Sequence, residues 1–139
     1  MLINGDKIVT KPTQSPANTF VLKGDLTAAT KTDVGAVLSL KNVYGLDLII
    51  TEMYVDVTTK STAAATLDIG VDDGGDVSND TLFDGVDVAT AAGLFNTSKH
   101  AGTNGKHAVV WKKDEFVVAT ASATLAGLVG KYTIKALAR

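Results

Sequence analysis

The feature that most constrains this chain is a series of short segments in which apolar and polar residues alternate with a period of two. The clearest lies in Leu46–Thr59, where Leu48, Ile50, Glu52, Tyr54, Asp56 and Thr58 alternate with Ile49, Thr51, Met53, Val55 and Val57. Side chains of a β-strand point to opposite faces in turn, so such a segment buries one face and wets the other. The second set of this segment becomes apolar towards its end. Thr66–Val71 repeats the pattern, with Leu67, Ile69 and Val71 expected inward. Thr19–Lys23 is a shorter run that Gly24-Asp25 is expected to close as a turn. Gly35–Lys41 places Ala36, Leu38 and Leu40 on one face and Val37 and Ser39 on the other.

Towards the C-terminus, His107–Lys112 and Glu115–Ala123 resemble a hairpin turning at Lys112-Lys113-Asp114. Leu128–Ala138 reads as a final strand, with Val129, Tyr132, Ile134, Ala136 and Ala138 inward. Residues 80–97 lack a clean period and are expected to form a long connection with a helical turn near Ala89–Gly93. Short strands, frequent glycines and no long helical pattern predict an all-β fold: a β-sandwich, jelly-roll-like. Residues 1–17 stand apart, because Pro12 and Pro16 break any long helix or central strand. The division expected is an extended N-terminal arm over 1–17 and one sandwich domain over 18–139, a normal domain size.

Charge is divided along the chain. Thr62–Thr97 holds seven acids (Asp68, Asp72, Asp73, Asp76, Asp80, Asp84 and Asp87) and no base, whereas Ser98–Arg139 holds seven bases and two acids. The whole chain is nearly neutral, with a formal charge of −2, which argues against a dedicated nucleic-acid binder. No apolar run approaches the ~20 residues needed to cross a bilayer, and Met1–Lys7 lacks the build of a signal peptide. The expectation is a protein with neither nucleic-acid nor membrane partners. The absence of cysteine removes thiol catalysis, zinc–thiolate sites and disulfides.

Catalytic and ligand motifs are scarce. His100 and His107 have no third ligand at a recognisable spacing and read as surface-loop residues. No serine sits in a nucleophile elbow, and Gly102-Thr103-Asn104-Gly105-Lys106 lacks the spacing of a phosphate loop. Asp72, Asp73, Asp76 and Asp80 form the best oxygen set for Ca²⁺, but their order departs from the EF-hand and no glutamate closes it. The plainer reading is a solvated turn. Trp111, Tyr132, Tyr44 and Tyr54 fall in or near strands, where an aromatic is more often core than platform. No catalytic residue, cofactor or metal is assigned, and the chain is read as non-enzymatic, built to dock.

Three strings carry a resemblance: Asp56-Val57-Thr58-Thr59 with Ala63–Val71, Leu82–Gly93, and Ala121–Tyr132. Their Ala/Thr/Gly texture resembles small virion structural proteins of tailed bacteriophages, of the capsid decoration (cement) type. The resemblance implies a β-sandwich on the capsid exterior, made in the host cytoplasm. It would bind the major capsid protein and itself, as a homotrimer, and stabilise the mature head. The residues expected to make partner contacts are Leu2, Ile3, Lys7, Ile8, Val9 and Lys11 of the arm. Alternatives left open are a tail, neck or fibre-associated virion component and a small carbohydrate- or calcium-binding β-sandwich module.

Overall fold

The computed structural model describes residues 19–28 and 32–139. The described residues contain nine strands and no helix: β1 (Thr19–Asp25), β2 (Leu38–Lys41), β3 (Leu48–Thr59), β4 (Thr66–Asp72), β5 (Phe83–Asp87), β6 (Gly93–Asn96), β7 (Val109–Trp111), β8 (Phe116–Ala121) and β9 (Val129–Ala138). They form two antiparallel sheets. One has the order β1-β9-β3-β6, with β7 also paired to β3; the other is β2-β8-β4-β5. Most connections cross from one sheet to the other, which stitches the layers into an all-β sandwich. No helix of the described residues is long and apolar enough to cross a membrane.

One apolar core fills the space between the sheets. Leu48, Ile50, Met53 and Ile134 of the five-stranded sheet meet Leu67, Ile69 and Phe83 of the four-stranded one, all fully buried. Burying each such side chain contributes roughly 1.5–3 kcal/mol. Trp111 is also fully buried, and its indole N–H is satisfied by the carbonyl of Glu115 at 2.9 Å. Asn42, buried beside it, donates to the carbonyls of Leu46 and Trp111 at 3.0 Å each, pinning the β2–β3 turn to β7.

The alternation in β3 changes phase. Leu48 and Ile50 point inward, and then Met53, Val55 and Val57 do. Opposite them Lys135 pairs with Glu52 and Ala136 with Ile50, so Thr51 is an extra residue in a β-bulge. A bulge adds one residue and flips every later side chain, which lets both apolar sets of this segment face the same core. The break falls where the neighbouring strand is also interrupted: β7 pairs with residues 48–50 and β6 with residues 54–57. Buried Thr97 fills that gap, donating its N–H to the Met53 carbonyl and accepting the Met53 N–H on its hydroxyl, both at 3.1 Å.

Several expectations are corrected. The segments flanking Lys112-Lys113-Asp114 do not form a hairpin: β7 belongs to one sheet and β8 to the other, and Asp114, at φ 68°, turns the chain between layers. Residues 83–96 contain two strands rather than a helical turn. Their period was hidden by a second bulge, where Asp84-Gly85 face the single residue Asp68 and Gly85 takes a φ of 75°. Gly24-Asp25 is not a turn but the end of β1. Glycine suits that position because a Cβ at Gly24 would lie 2.6 Å from the Tyr132 hydroxyl oxygen and push the ring aside. Val129, expected inward, is exposed, and Tyr44 and Tyr54 are not core residues. Leu67, Ile69, Tyr132, Ile134 and Ala136 point inward as read from the alternation. The arm over 1–17, with Leu2, Ile3, Lys7, Ile8, Val9 and Lys11, lies outside the described residues.

Candidate interaction surfaces

The outer face of the four-stranded sheet is covered by its own connection. The ten-residue link between β4 and β5 folds back across the strands, and glycines allow it to lie flat. A Cβ at Gly70 of β4 would meet Asn79 Oδ1 at 2.4 Å and the Thr81 nitrogen at 2.8 Å; one at Gly75 would meet the Phe116 ring at 2.9 Å. Between these contacts lies Val118 of β8. It has no exposed surface, although it stands on the outer side of the sheet and outside the central core.

Asp72 organises this acidic link. Its Oδ2 accepts backbone N–H groups from Gly74 (3.2 Å), Asp76 (3.1 Å) and Val77 (3.3 Å). Burial works to raise its pKa, but the N–H groups of Val77, Asp76, Gly75 and Gly74 outweigh it and hold the carboxyl below the usual range. That oxygen is therefore occupied by the chain itself. Asp80 is taken up by the Asn104 side chain at 3.0 Å, and among the described residues no three His, Cys, Asp or Glu side chains come together as metal ligands. Asp68 is the exception in its electrostatics. Burial, together with the charges of Asp80 and Asp84, raises its pKa against the opposing N–H of Gly85, which donates to it at 2.8 Å.

The loop after β6 shields the edge strand β5. Asp84 donates its N–H to the Ala101 carbonyl and Lys106 donates to the Thr81 carbonyl, each at 2.8 Å, so the 102–106 segment closes a sheet edge and holds no phosphate cradle. A hollow of about 290 Å³ lies beside it, walled by Asp84, Asp87, Phe95, Lys99 and His100. His100 accepts the Asn96 N–H on Nδ1 at 3.1 Å and packs edge-on against Phe95, with ring centroids 5.4 Å apart. Asp87 is spent on the N–H groups of Ala89 and Thr90. This wall presents mixed charge without a nucleophile–base pair. His100 and His107 are both exposed loop residues.

The five-stranded sheet presents the opposite kind of surface. Five of the nine exposed large apolar residues among those described stand on its outer face: Val21, Leu94, Val110, Val129 and Leu137. Ile49 lies between Val110 and Leu137 in register. The charges there are evenly matched, with three lysines (Lys23, Lys131, Lys135) and three acids (Asp25, Glu52, Asp56). Lys131 pairs with Asp25 at 2.6 Å. Tyr54 and Ser98 donate to the two oxygens of Glu52 at 3.0 and 2.8 Å, and Lys135 stands over the Tyr54 ring. The Ser98 hydrogen bond is the main reason the Glu52 pKa is lowered, while the bond to Glu52 raises that of Tyr54. Val43 (73% exposed), Tyr44 and Leu46 of the β2–β3 connection are exposed as well, and Tyr44 packs on Phe20 with ring centroids 4.9 Å apart.

The acidic link is legible in the order of the residues, and this face is not. Val21, Val110 and Leu137 look like ordinary strand residues, and only the register brings them together with Ile49.

No family model matches the chain, and no curated protein matches it. Two solved structures share its fold. A chain of a structure titled "Capsid of Ralstonia phage GP4" aligns with a TM-score of 0.60 and 14% identity, over 96% of this chain and 92% of that one. A chain of "Acidic stable capsid structure of Helicobacter pylori bacteriophage KHP30" aligns with a TM-score of 0.58 and 13% identity, over 87% and 88%.

Proposed function

We propose that this chain is a non-enzymatic structural component of a bacteriophage virion, of the decoration type, which binds the outside of the head and stabilises contacts between capsomers. The observation that carries the reading is the likeness of fold, over nearly the whole chain, to chains from two phage capsid structures. The surfaces fit the role. Paired and capped carboxylates give no reacting centre, while one sheet face is left apolar and of mixed charge. The strand orders β1-β9-β3-β6 and β2-β8-β4-β5, with the chain passing back and forth between sheets, support reading the sandwich as a jelly roll.

Repetition on a symmetric shell would turn weak single contacts into firm attachment by avidity. In this reading residues 1–17 act as an arm, with Leu2, Ile3, Ile8 and Val9 supplying apolar contacts to a neighbour and Lys7 and Lys11 supplying charge. The protein would then sit on the capsid exterior against the major capsid protein and further copies of itself, as a homotrimer. Co-sedimentation with mature, undecorated shells of its virus tests this. Saturation at hundreds of copies per shell is expected; a handful of copies would place the protein in the tail or neck. Deleting residues 1–17 should keep the fold and weaken binding, and unchanged binding would sink the arm.

A further inference from the structure

We propose that the outer face of the five-stranded sheet, centred on Ile49, Val110 and Leu137, is the surface against which a second copy of this chain packs. This deepens the virion reading and rests on it only for the idea that copies meet on a shell.

Burial marks the site first. Val21 is 55% exposed and Leu137 41% exposed, on a sheet whose inner face is fully occupied by the core. Register places Leu137 opposite Ile49, and Ile49 opposite Val110, so these side chains form one row across three strands. Val21 lies one step along β1, paired with Lys135. At the end of the sandwich the Arg139 N–H bonds the Asp47 carbonyl at 3.0 Å, which ties the C-terminal end of β9 to the exposed β2–β3 connection. A row of exposed apolar side chains set among charged ones in this way is characteristic of an interface rather than of a face meant for water.

Charge then selects the occupant. The strands of this face carry three lysines against three acids, with Lys131 beside Asp25 and Asp56 and Lys135 beside Glu52. The neighbouring end is nearly balanced, with Lys41, Lys112, Lys113 and Arg139 against Asp47, Asp114 and Glu115. A second copy can bring either of these surfaces to the contact without net repulsion. The side bearing the acidic link cannot meet its own image, since it gathers seven aspartates from Asp68 to Asp87 around few bases. A strongly basic or acidic partner would gain nothing from a face without net charge.

Size agrees. Four strands abreast at ~4.8 Å and ten residues at ~3.3 Å give a face of about 19 by 33 Å, roughly 630 Å² before side-chain relief. Side-chain relief adds to this, which approaches the ~800 Å² per partner of a standard stable interface.

Sedimentation velocity on the full-length chain, from low micromolar to ~1 mM, tests the proposal. The wild type should self-associate, and Leu137→Asp should weaken association at least ~10-fold. Lys135→Glu, a milder change on the same face, should weaken it less, and Val77→Asp, on the acidic link, should leave it unchanged. Melting curves keep the comparison to folded protein. A wild type that stays monomeric throughout, or association indifferent to Leu137→Asp and Lys135→Glu, overturns the proposal. So does a Leu137→Asp protein that associates normally but no longer binds shells, because the face would then belong to the capsid. Association lost with Leu137→Asp, in a protein that never binds shells, supports this inference while removing the decoration role.

Discussion

The two outer faces of the sandwich are built from similar strands yet finished differently. On the four-stranded sheet the outward residue Val118 is sealed beneath the link between β4 and β5, which lies close because Gly70 of β4 and Gly75 of the link carry no side chain. On the five-stranded sheet the outward residue Val21 stays 55% exposed, and no described residue folds over the row of Ile49, Val110 and Leu137. The first face is closed by the chain's own backbone; the second is left open by the described residues. A buried outer face contributes to stability, and an open one is free to contribute to assembly, so substitutions on the two should be read by different assays.

The sharpest test exchanges the same residue type on the two faces. Val118→Asp should cost about 3–5 kcal/mol, because it strands a charge where no water reaches. Val21→Asp should stay within about 0.5 kcal/mol, as surface changes do. Urea unfolding measures both, and equal costs would break the comparison. Next in size is Gly70→Val. Its Cβ would collide with Asn79 and Thr81 and lift the link off the sheet, costing about 1–3 kcal/mol as overpacking does. Thr133→Val, at an outward position of the five-stranded sheet, should be close to neutral in the same titration.

Smaller effects sharpen the electrostatic side. Asp72→Ala should leave the strands paired but speed hydrogen exchange at the amides of Gly74, Asp76 and Val77, which lose their acceptor. Because the Asp72 pKa is lowered in the folded state, its contribution to stability is present above the ordinary aspartate value of 3.8 and is lost as pH falls through the folded value. Wild type should therefore approach Asp72→Ala in stability as acid is added. Asp68 works in the opposite direction and should have the smallest effect. Its pKa is raised, so the folded state holds the proton more tightly, and its contribution declines as pH rises from 3.8 through the folded value. Asp68→Asn should flatten that decline, which melting temperature against pH would reveal.

Particular residues explain what could be read in advance. Leu67, Ile69, Tyr132, Ile134 and Ala136 follow a simple alternation and point inward as read. Leu48–Thr59 was legible as a strand, but its apolar positions change parity at Thr51, and a bulge cannot be placed without knowing the strand opposite. The apparent hairpin at Lys112-Lys113-Asp114 failed for a related reason: two adjacent strands joined by a short turn can lie in different sheets. Tyr54 reads as a core residue because aromatics in strands usually are, yet it stands outside, hydrogen-bonded to Glu52 and beneath Lys135. The open face was not legible at all, since its members are scattered from Val21 to Leu137.

By itself the sequence determined the class of structure, the inward side of its regular strands and the separation of an acidic segment from a basic one. These depend on local chemistry: two-residue periodicity, turn residues, and charge carried on consecutive side chains. Tertiary structure alone decided which sheet each strand joined, where the bulges realigned β3 and β5, and which outer face was covered. Those outcomes depend on contacts between residues far apart in the chain, such as Gly70 with Asn79 and Leu137 with Ile49, whose energies exist only once the strands are in register.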